Sequence, residues 1–446
     1  TPEGYYDASV NGHTLFGWQV NRGLYALPDF YRADQYQKTL ERPAVMARLL
    51  SAGSLQKALD EAAEEIPERI HQVLPRKIAA TPRVEILSPR PGTVIQQRST
   101  RVTARISTPE VSKLVQARVF ANGVVATQRR VLQQRALAGG SEVVYEWTVP
   151  LPADERTLIQ LIVATDAPTG AFSNVVVDRG RPGAAEAPPR LYLLAVGINQ
   201  YADSDVPGLA FSVADAKAIT DCLKSGAEKL YEFENAALLS DAEVTPASWR
   251  AALERIAGEL KKLSRPDDLL VVFMAGHGLV DPKSQTYYYL GHHARLDAID
   301  RGDFRGCISW EDFHSLADVP CRKLVVLDTC HSGAIQPLQD QGLKTGLRAL
   351  QEDVVLAVAA SAGHEKAAEI KTLGHGVFTK CLLEALSGRA DDSGDGMVTL
   401  DEVIAYVTRS VPEATAGRQN PSAGPGEILP FVTLPLAKVT QPAAGQ

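Results

Sequence analysis

The sequence predicts an α/β fold, a mostly parallel sheet flanked by helices, preceded by an all-β sandwich and a short N-terminal connector. Three observations carry this. From residue 191 onward, strand-like and helix-like patterns alternate, as they do when parallel strands are joined by crossover helices. From about Pro82 to Asp178 the apolar residues fall instead into short β-rich runs with period-2 alternation. Between these regions, RGRPGAAEAPPR (Arg179–Arg190) has the Pro, Gly and Ala content of a linker. The domains read are a connector over 1–80, a sandwich over 81–178, a linker over 179–190, an α/β domain over 191–436 and a flexible tail over 437–446.

In the connector, TPEGYYDASVNGHTLFGW has the Gly, Asn and aromatic mix of a β-hairpin. Ser54 could cap a helix running LQKALDEAAEEI, with Leu55, Ala58, Leu59 and Ala62 on its apolar face. The sandwich runs are VEIL, VTARI, LVQARVF, VVYEWTV and LIQLIVAT. Alternation is clearest in Val115, Ala117 and Val119 and in Tyr145, Trp147 and Val149. Asn122-Gly123 is a hairpin turn between two runs, and SPRPG and LPADE break others. Short strands at this spacing imply a small sandwich. It could rigidly present the next domain or bind a partner through its loops; architecture alone does not choose.

The α/β series begins with LYLLAVGI as a strand, FSVADAKAITDCL as a helix, NAALLS as a strand and Thr245–Leu263 as a helix. DDLLVVFMAGHGL (Asp267–Leu279) follows, then a helix over Ser309–Leu316 and the strand KLVVLDTCHSG (Lys323–Gly333). VVLAVAAS (Val354–Ser361) and the helix VFTKCLLEAL complete it. Two of these strands are continuous apolar runs, as expected of strands buried on both faces. Both end in reactive residues, His277 and Cys330, where open α/β sheets hold their sites. An imidazole beside a thiol lowers the thiol pKa, and the thiolate is a nucleophile. Either residue alone would read as a buried thiol or a loop histidine; together they read as a dyad. His331 adjoins the cysteine, but adjacent strand residues point oppositely, so it is read as packing.

The totals narrow the function classes. A chain of 446 residues is too long for one core. Hydrophobic and charged contents of 45% and 22% are ordinary for globular proteins. The net charge of −7 comes with no basic run, so no nucleic-acid partner is expected. No apolar run approaches the ~20 residues of a transmembrane helix, and no membrane partner is expected. Five scattered cysteines without a C-x-x-C pair indicate neither a disulfide framework nor a zinc site. A reduced, cytoplasmic compartment fits. The sequence starts at Thr1 rather than Met, so the lack of a leader decides nothing.

One acidic stretch, DDSGDGMVTLDE, follows the EF-hand pattern. Asp391, Ser393 and Asp395 stand at positions one, three and five, Gly396 at six, Met397 at the backbone position seven and Glu402 at twelve. Ser393 departs from the usual Asp or Asn, and an acidic turn between two helices reads equally well. No cofactor is required by the dyad chemistry; calcium at this loop is the one candidate.

A histidine about 50 residues upstream of a cysteine is a caspase signature, which His277 and Cys330 match. DTCHSG replaces the caspase form Q-A-C-x-G. With GHG upstream, it resembles the metacaspase and paracaspase branch of caspase-like cysteine peptidases, over about Pro189–Leu436. The resemblance implies an endopeptidase in which Cys330 attacks the scissile carbonyl while His277 polarises the thiol and protonates the leaving amine. The backbone N–H groups of Gly278 and Cys330 would form the oxyanion hole. Asp328 and Asp215 would line the pocket for the residue before the cleaved bond, implying protein substrates cut after Arg or Lys. Asp215 also reads as a helix first-turn acid. Ala214 and Ala275 depart from the branch's usual Asn and Ser, so the pocket differs in detail. IQPLQDQGLKTGLRALQED is long for a sheet connection. Such linkers are cut during maturation, and Lys344 and Arg348 are its basic residues. The branch's own calcium-site acid, shortly after the nucleophile, is absent: Ile335, Gln336 and Pro337 stand there. The sandwich resembles immunoglobulin-like or fibronectin-like modules. The first segment resembles the last edge of a propeller blade in bacterial proteins joining repeat domains to such peptidases, which implies an upstream or regulatory partner. Two alternatives stand beside this. One is a catalytically silent scaffold binding partners through the sandwich. The other is an Asp-preferring peptidase, which would need basic residues in place of Asp328 and Asp215.

Overall fold

The protein is described from a computed structural model. It describes residues 1, 4–8, 12–20, 29–36, 40–65, 81–110, 113–137, 139–166, 170–180, 187–227, 230–263, 265–281, 286–330, 355–360, 374–424 and 428–439. The chain divides into two compact units.

The first unit comprises Thr1–Leu151, Glu155–Arg181 and Pro282–Ser284. Its N-terminal part is an antiparallel hairpin of Gly17–Val20 and Asp29–Arg32. Tyr6, Ala33, Tyr36 and Leu40 form its small core, with the Trp18 ring edge-to-face on Tyr36 and the exposed Phe16 ring edge-to-face on Tyr6. Two helices follow, Pro43–Ala52 and Leu55–Glu65, packed through Val45, Ala58 and Ala62. Ser54 caps the second helix, its Oγ accepting the Lys57 N–H at 3.3 Å.

The rest of this unit is two facing sheets, antiparallel except that Val94–Ile95 runs parallel to Gly170–Arg179. One has four strands, Arg83–Ser88, Ser99–Pro109, Gly140–Pro150 and Gln128–Leu137 in spatial order. The other runs Val94–Ile95, Gly170–Arg179, Arg156–Thr165, Leu114–Ala121 and Val124–Val125. Alternate residues such as Val102, Ala104 and Ile106 face Val119, Ile159 and Leu161 across one core. Asn122 and Gly123 have φ of 45° and 85°, as a type I′ turn requires. Val115 breaks the expected alternation and is 67% exposed. The register skips it: Ala164 pairs with Gln116 and Thr165 with Leu114. This bulge turns Leu114 toward the core instead.

The second unit comprises Pro152–Asp154, Pro182–Asp281 and Gln285–Gln446. Its main sheet runs, in spatial order, Glu232–Ser240, Arg190–Gly197, Leu269–Val280, Arg322–Cys330, Leu356–Ala359 and Ser422–Gly424. The first five are mutually parallel and the last is antiparallel. Because the second strand in the chain lies on one side of the first and the third on the other, the order reverses there. The crevice at such a reversal is where ligands bind in open α/β sheets. Helix Ser212–Ala227 buries Ser212, Asp215, Ala216, Ile219 and Leu223, and Pro246–Leu263 buries Trp249, Leu253, Ile256 and Leu260.

Two further expectations changed. The helix expected over Ser309–Leu316 is a 3-10 segment, Trp310–Asp318. Trp310, Phe313 and Leu316 recur every third residue, the spacing that lines up one face of a 3-10 turn. Ala437 and Lys438, expected in the tail, instead pair with Val398 and Met397. No helix among the described residues is long and apolar enough to cross a membrane.

Candidate active site

The Leu269–Val280 and Arg322–Cys330 strands pair in parallel from Leu269 opposite Arg322 to His277 opposite Cys330. Equal advance along both strands brings the two sequence-predicted residues to one sheet edge. The side chain of Cys330, and residues His331 to Gly333, lie outside the described residues.

The His277 ring is 1% exposed and firmly seated. Its Nε2 lies 2.8 Å from the Pro207 carbonyl oxygen. A carbonyl can only accept, so the proton is assigned to Nε2 and the basic lone pair to Nδ1. The Tyr201 ring stacks on the imidazole, centroids 5.3 Å apart at 21°. Tyr201 Oη accepts the His277 backbone N–H at 2.9 Å. The group that orients the His277 ring is thus a backbone carbonyl. Sequence reading named none, because a carbonyl 70 residues upstream leaves no side-chain signature.

Gly278 has a packing reason of its own. A Cβ there would lie 2.1 Å from Tyr287 Oη. Tyr287 is 2% exposed and donates to Thr329 Oγ1 at 2.8 Å. The room left by the missing side chain is therefore filled by the tyrosine rather than left for a ligand.

Asp215 and Asp328 come from different elements and converge. Asp215 is 3% exposed in the first turn of its helix, and Asp328 is 5% exposed two residues before Cys330. A Cβ on Gly376 would lie 3.2 Å from Oδ2 of each. The segment between them supplies donors. His375 Nδ1 is 2.6 Å from Asp215 Oδ1, Gly376 N–H donates to Asp215 Oδ2 at 3.2 Å, and Thr379 Oγ1 donates to Asp328 Oδ2. Ala275, which offers no hydroxyl, is the register partner of Asp328; Thr379 provides the hydroxyl instead. A carboxylate cannot donate, so His375 carries its proton on Nδ1. Burial, aided by Lys380, pulls its pKa below the ordinary histidine value. The sequence marked VFTKCLLEAL as a helix but did not connect its N-terminus to the acids.

The loop from Asp391 to Glu402 folds elsewhere in the unit, with its carboxylates turned to its own donors. Asp391 accepts the N–H groups of Asp395 and Gly396, and Asp395 accepts that of Met397. Glu402 Oε1 accepts the Ser393 N–H at 3.1 Å, while Oε2 accepts the N–H and O–H of Thr399. Thr399 and Glu402 form a capping box on helix Leu400–Thr415. Among the described residues, no three His, Cys, Asp or Glu side chains are placed to hold a metal ion. As arranged, the loop's acids accept from the turn and from the helix end. Lys344 and Arg348 lie outside the described residues.

A parallel sheet presenting a histidine and a cysteine at one edge has the layout of a cysteine peptidase. The family model for the caspase domain matches residues 190–424, more than half of the chain, and the chain belongs to the caspase-domain family. Membership implies cysteine peptidase activity on protein substrates and a caspase-like α/β fold, here with a strand-rich N-terminal region. No curated protein sequence matches the chain significantly. Among solved structures, the chain is similar to pro-sf-caspase-1, with 11% identity, a TM-score of 0.30, and coverage of 54% of this chain and 96% of that one. It is also similar to the N-terminal Ig1-2 module of a Drosophila receptor protein tyrosine phosphatase, at 10% identity, a TM-score of 0.16, and 26% and 62% coverage. At these scores neither likeness carries an argument.

Proposed function

We propose that this protein is a metacaspase-type cysteine endopeptidase that cleaves after Arg or Lys through Cys330 and His277. One observation carries the reading: the strand register sets His277 beside Cys330 while the Pro207 carbonyl holds Nε2–H. Nδ1 is then the nitrogen left to take the thiol proton. The thiolate attacks the carbonyl carbon, His277 returns the proton to the leaving amine, and water releases the acyl group. Backbone N–H groups of Gly278 and Cys330 are proposed to hold the oxyanion. Asp328 and Asp215 attract the guanidinium or ammonium of the residue before the cleaved bond. We further propose an immunoglobulin-like sandwich, a reducing cytoplasmic setting, and maturation by self-cleavage after Lys344 or Arg348.

The test is a peptide panel varying only the residue before the cleaved bond, assayed with wild type, Cys330→Ala and His277→Ala. Both substitutions should abolish cleavage with unchanged circular dichroism. Cleavage surviving in Cys330→Ala would remove the dyad, and a wild type that cleaves none of the peptides would leave the silent scaffold as the better reading. For maturation, wild type on incubation should yield two fragments that stay associated. An uncut wild type, or equal cutting of Cys330→Ala, would refute self-processing.

A further inference from the structure

We propose that His375 is a specificity-determining residue of the acidic pocket, positioning Asp215 for a substrate's basic side chain when neutral and competing with that side chain when protonated. The inference rests on the reading of Asp215 and Asp328 as the Arg/Lys pocket, and deepens it.

The geometry is that of a carboxylate held from one segment. His375 Nδ1 takes one oxygen of Asp215 at 2.6 Å, and the next residue's N–H takes the other at 3.2 Å. Such charge-assisted bonds fix a carboxylate's plane, and therefore the direction in which its remaining lone pairs point. The imidazole is the more exposed partner, 24% against 4% for the Asp215 side chain. Of the two it is the one that solvent, and hence a bound basic side chain, can reach. His375 was not reached from the sequence, because it lies 160 residues from Asp215.

Charge gives the position its consequence. With neutral His375 the pocket carries two carboxylates against one substrate cation. With an imidazolium the pocket carries a cation of its own, and the substrate meets a like charge at close range. The charged groups facing the ring among the described residues come from three elements. Asp215 lies on helix Ser212–Ala227, Asp328 reaches Gly376 from the Arg322–Cys330 strand, and Lys380 is on the helix that His375 precedes. Burial first and Lys380 second lower the His375 pKa from the ordinary histidine value, so the ring is neutral near pH 7 and gains its charge on acidification.

The experiment measures kcat and KM from about pH 5.5 to 8.5 on two peptides identical except for Arg or Gln before the cleaved bond. Wild type should show KM for the Arg peptide rising about tenfold on acidification, with the Gln peptide unmoved. His375→Asn keeps an N–H donor that never charges. It should match wild type at high pH and lose the acidic rise. His375→Ala should raise KM for the Arg peptide roughly fivefold at high pH with kcat nearly unchanged. A residue that merely packs would shift both peptides together and gain nothing from Asn. An acidic rise persisting in His375→Asn overturns the proposal. So does an Arg-to-Gln ratio of KM unchanged in His375→Ala. Should His375→Ala fail to fold, the pH arm with His375→Asn decides alone. If wild type does not distinguish Arg from Gln, the pocket reading itself fails, and this inference with it.

Discussion

Asp328→Asn isolates the charge on which the proposed specificity depends. The substitution keeps the side chain's size and leaves an oxygen to accept the Thr379 hydroxyl. What disappears is one of two negative charges that are 5% and 3% exposed and therefore little screened by salt. Truncating one member of a buried hydrogen-bonded charge pair costs 2–5 kcal/mol or more. Asp215 still holds part of the substrate charge, which places the loss nearer about 2–4 kcal/mol. At ~1.4 kcal/mol per tenfold, kcat/KM on an Arg peptide should fall roughly 30- to 700-fold. The same variant should lose far less on a Gln peptide, and Asp peptides should be poor substrates of wild type because like charges meet. Asp215→Asn should lose less than Asp328→Asn, since His375 and the Gly376 N–H already offset its charge. Arg should be preferred to Lys, because its planar fork can reach two acids. The assay is kcat/KM on Arg, Lys, Gln and Asp peptides for the three proteins. An Arg-to-Gln ratio unchanged by Asp328→Asn, or efficient turnover of the Asp peptide, refutes the reasoning.

Three further outcomes are expected. Burial pushes Cys222 and Cys381 up to about 11 and Cys307 and Cys321 up to about 12, so iodoacetamide near neutral pH should label Cys330 first. Mass spectrometry finding all five labelled at one rate would contradict this. Gly278→Ala puts a methyl group 2.1 Å from Tyr287 Oη, and urea unfolding should show about 2–4 kcal/mol lost to overpacking and the strained Thr329 bond. A loss below about 1 kcal/mol would mean that Tyr287 yields freely. Glu402→Ala should cost about 1 kcal/mol by opening the capping box. Burial works to raise the Glu402 pKa, but the donors of Thr399 and Ser393 outweigh it and hold the carboxyl below its usual value. The cap's contribution is therefore full above the unfolded value of ~4.3 and lost as pH falls through the lower folded value. Denaturation of both proteins between about pH 3 and 7 checks this, and a difference that does not shrink in acid would refute it.

The sequence by itself determined the parts of this protein whose physics is local or periodic. Continuous apolar runs marked the Leu269–Val280 and Arg322–Cys330 strands, because a strand covered on both faces has no polar positions to alternate. Period-2 runs marked the sandwich, Asn122-Gly123 its type I′ turn, and Ser54 a helix start, each from a conformation that few residues adopt. Only the tertiary structure decided the relations between these parts. The Pro207 carbonyl behind His277, the seat of Tyr287 against Gly278, and the donors of His375, Gly376 and Thr379 on the two acids join residues 9 to 161 positions apart. No periodicity reports such pairs, since they are set by the parallel register and by how each crossover helix returns to the sheet. The acidic loop shows the converse. Its residue types spell a calcium ligand set, while only the structure shows that Glu402 also caps its own helix by accepting the Thr399 N–H.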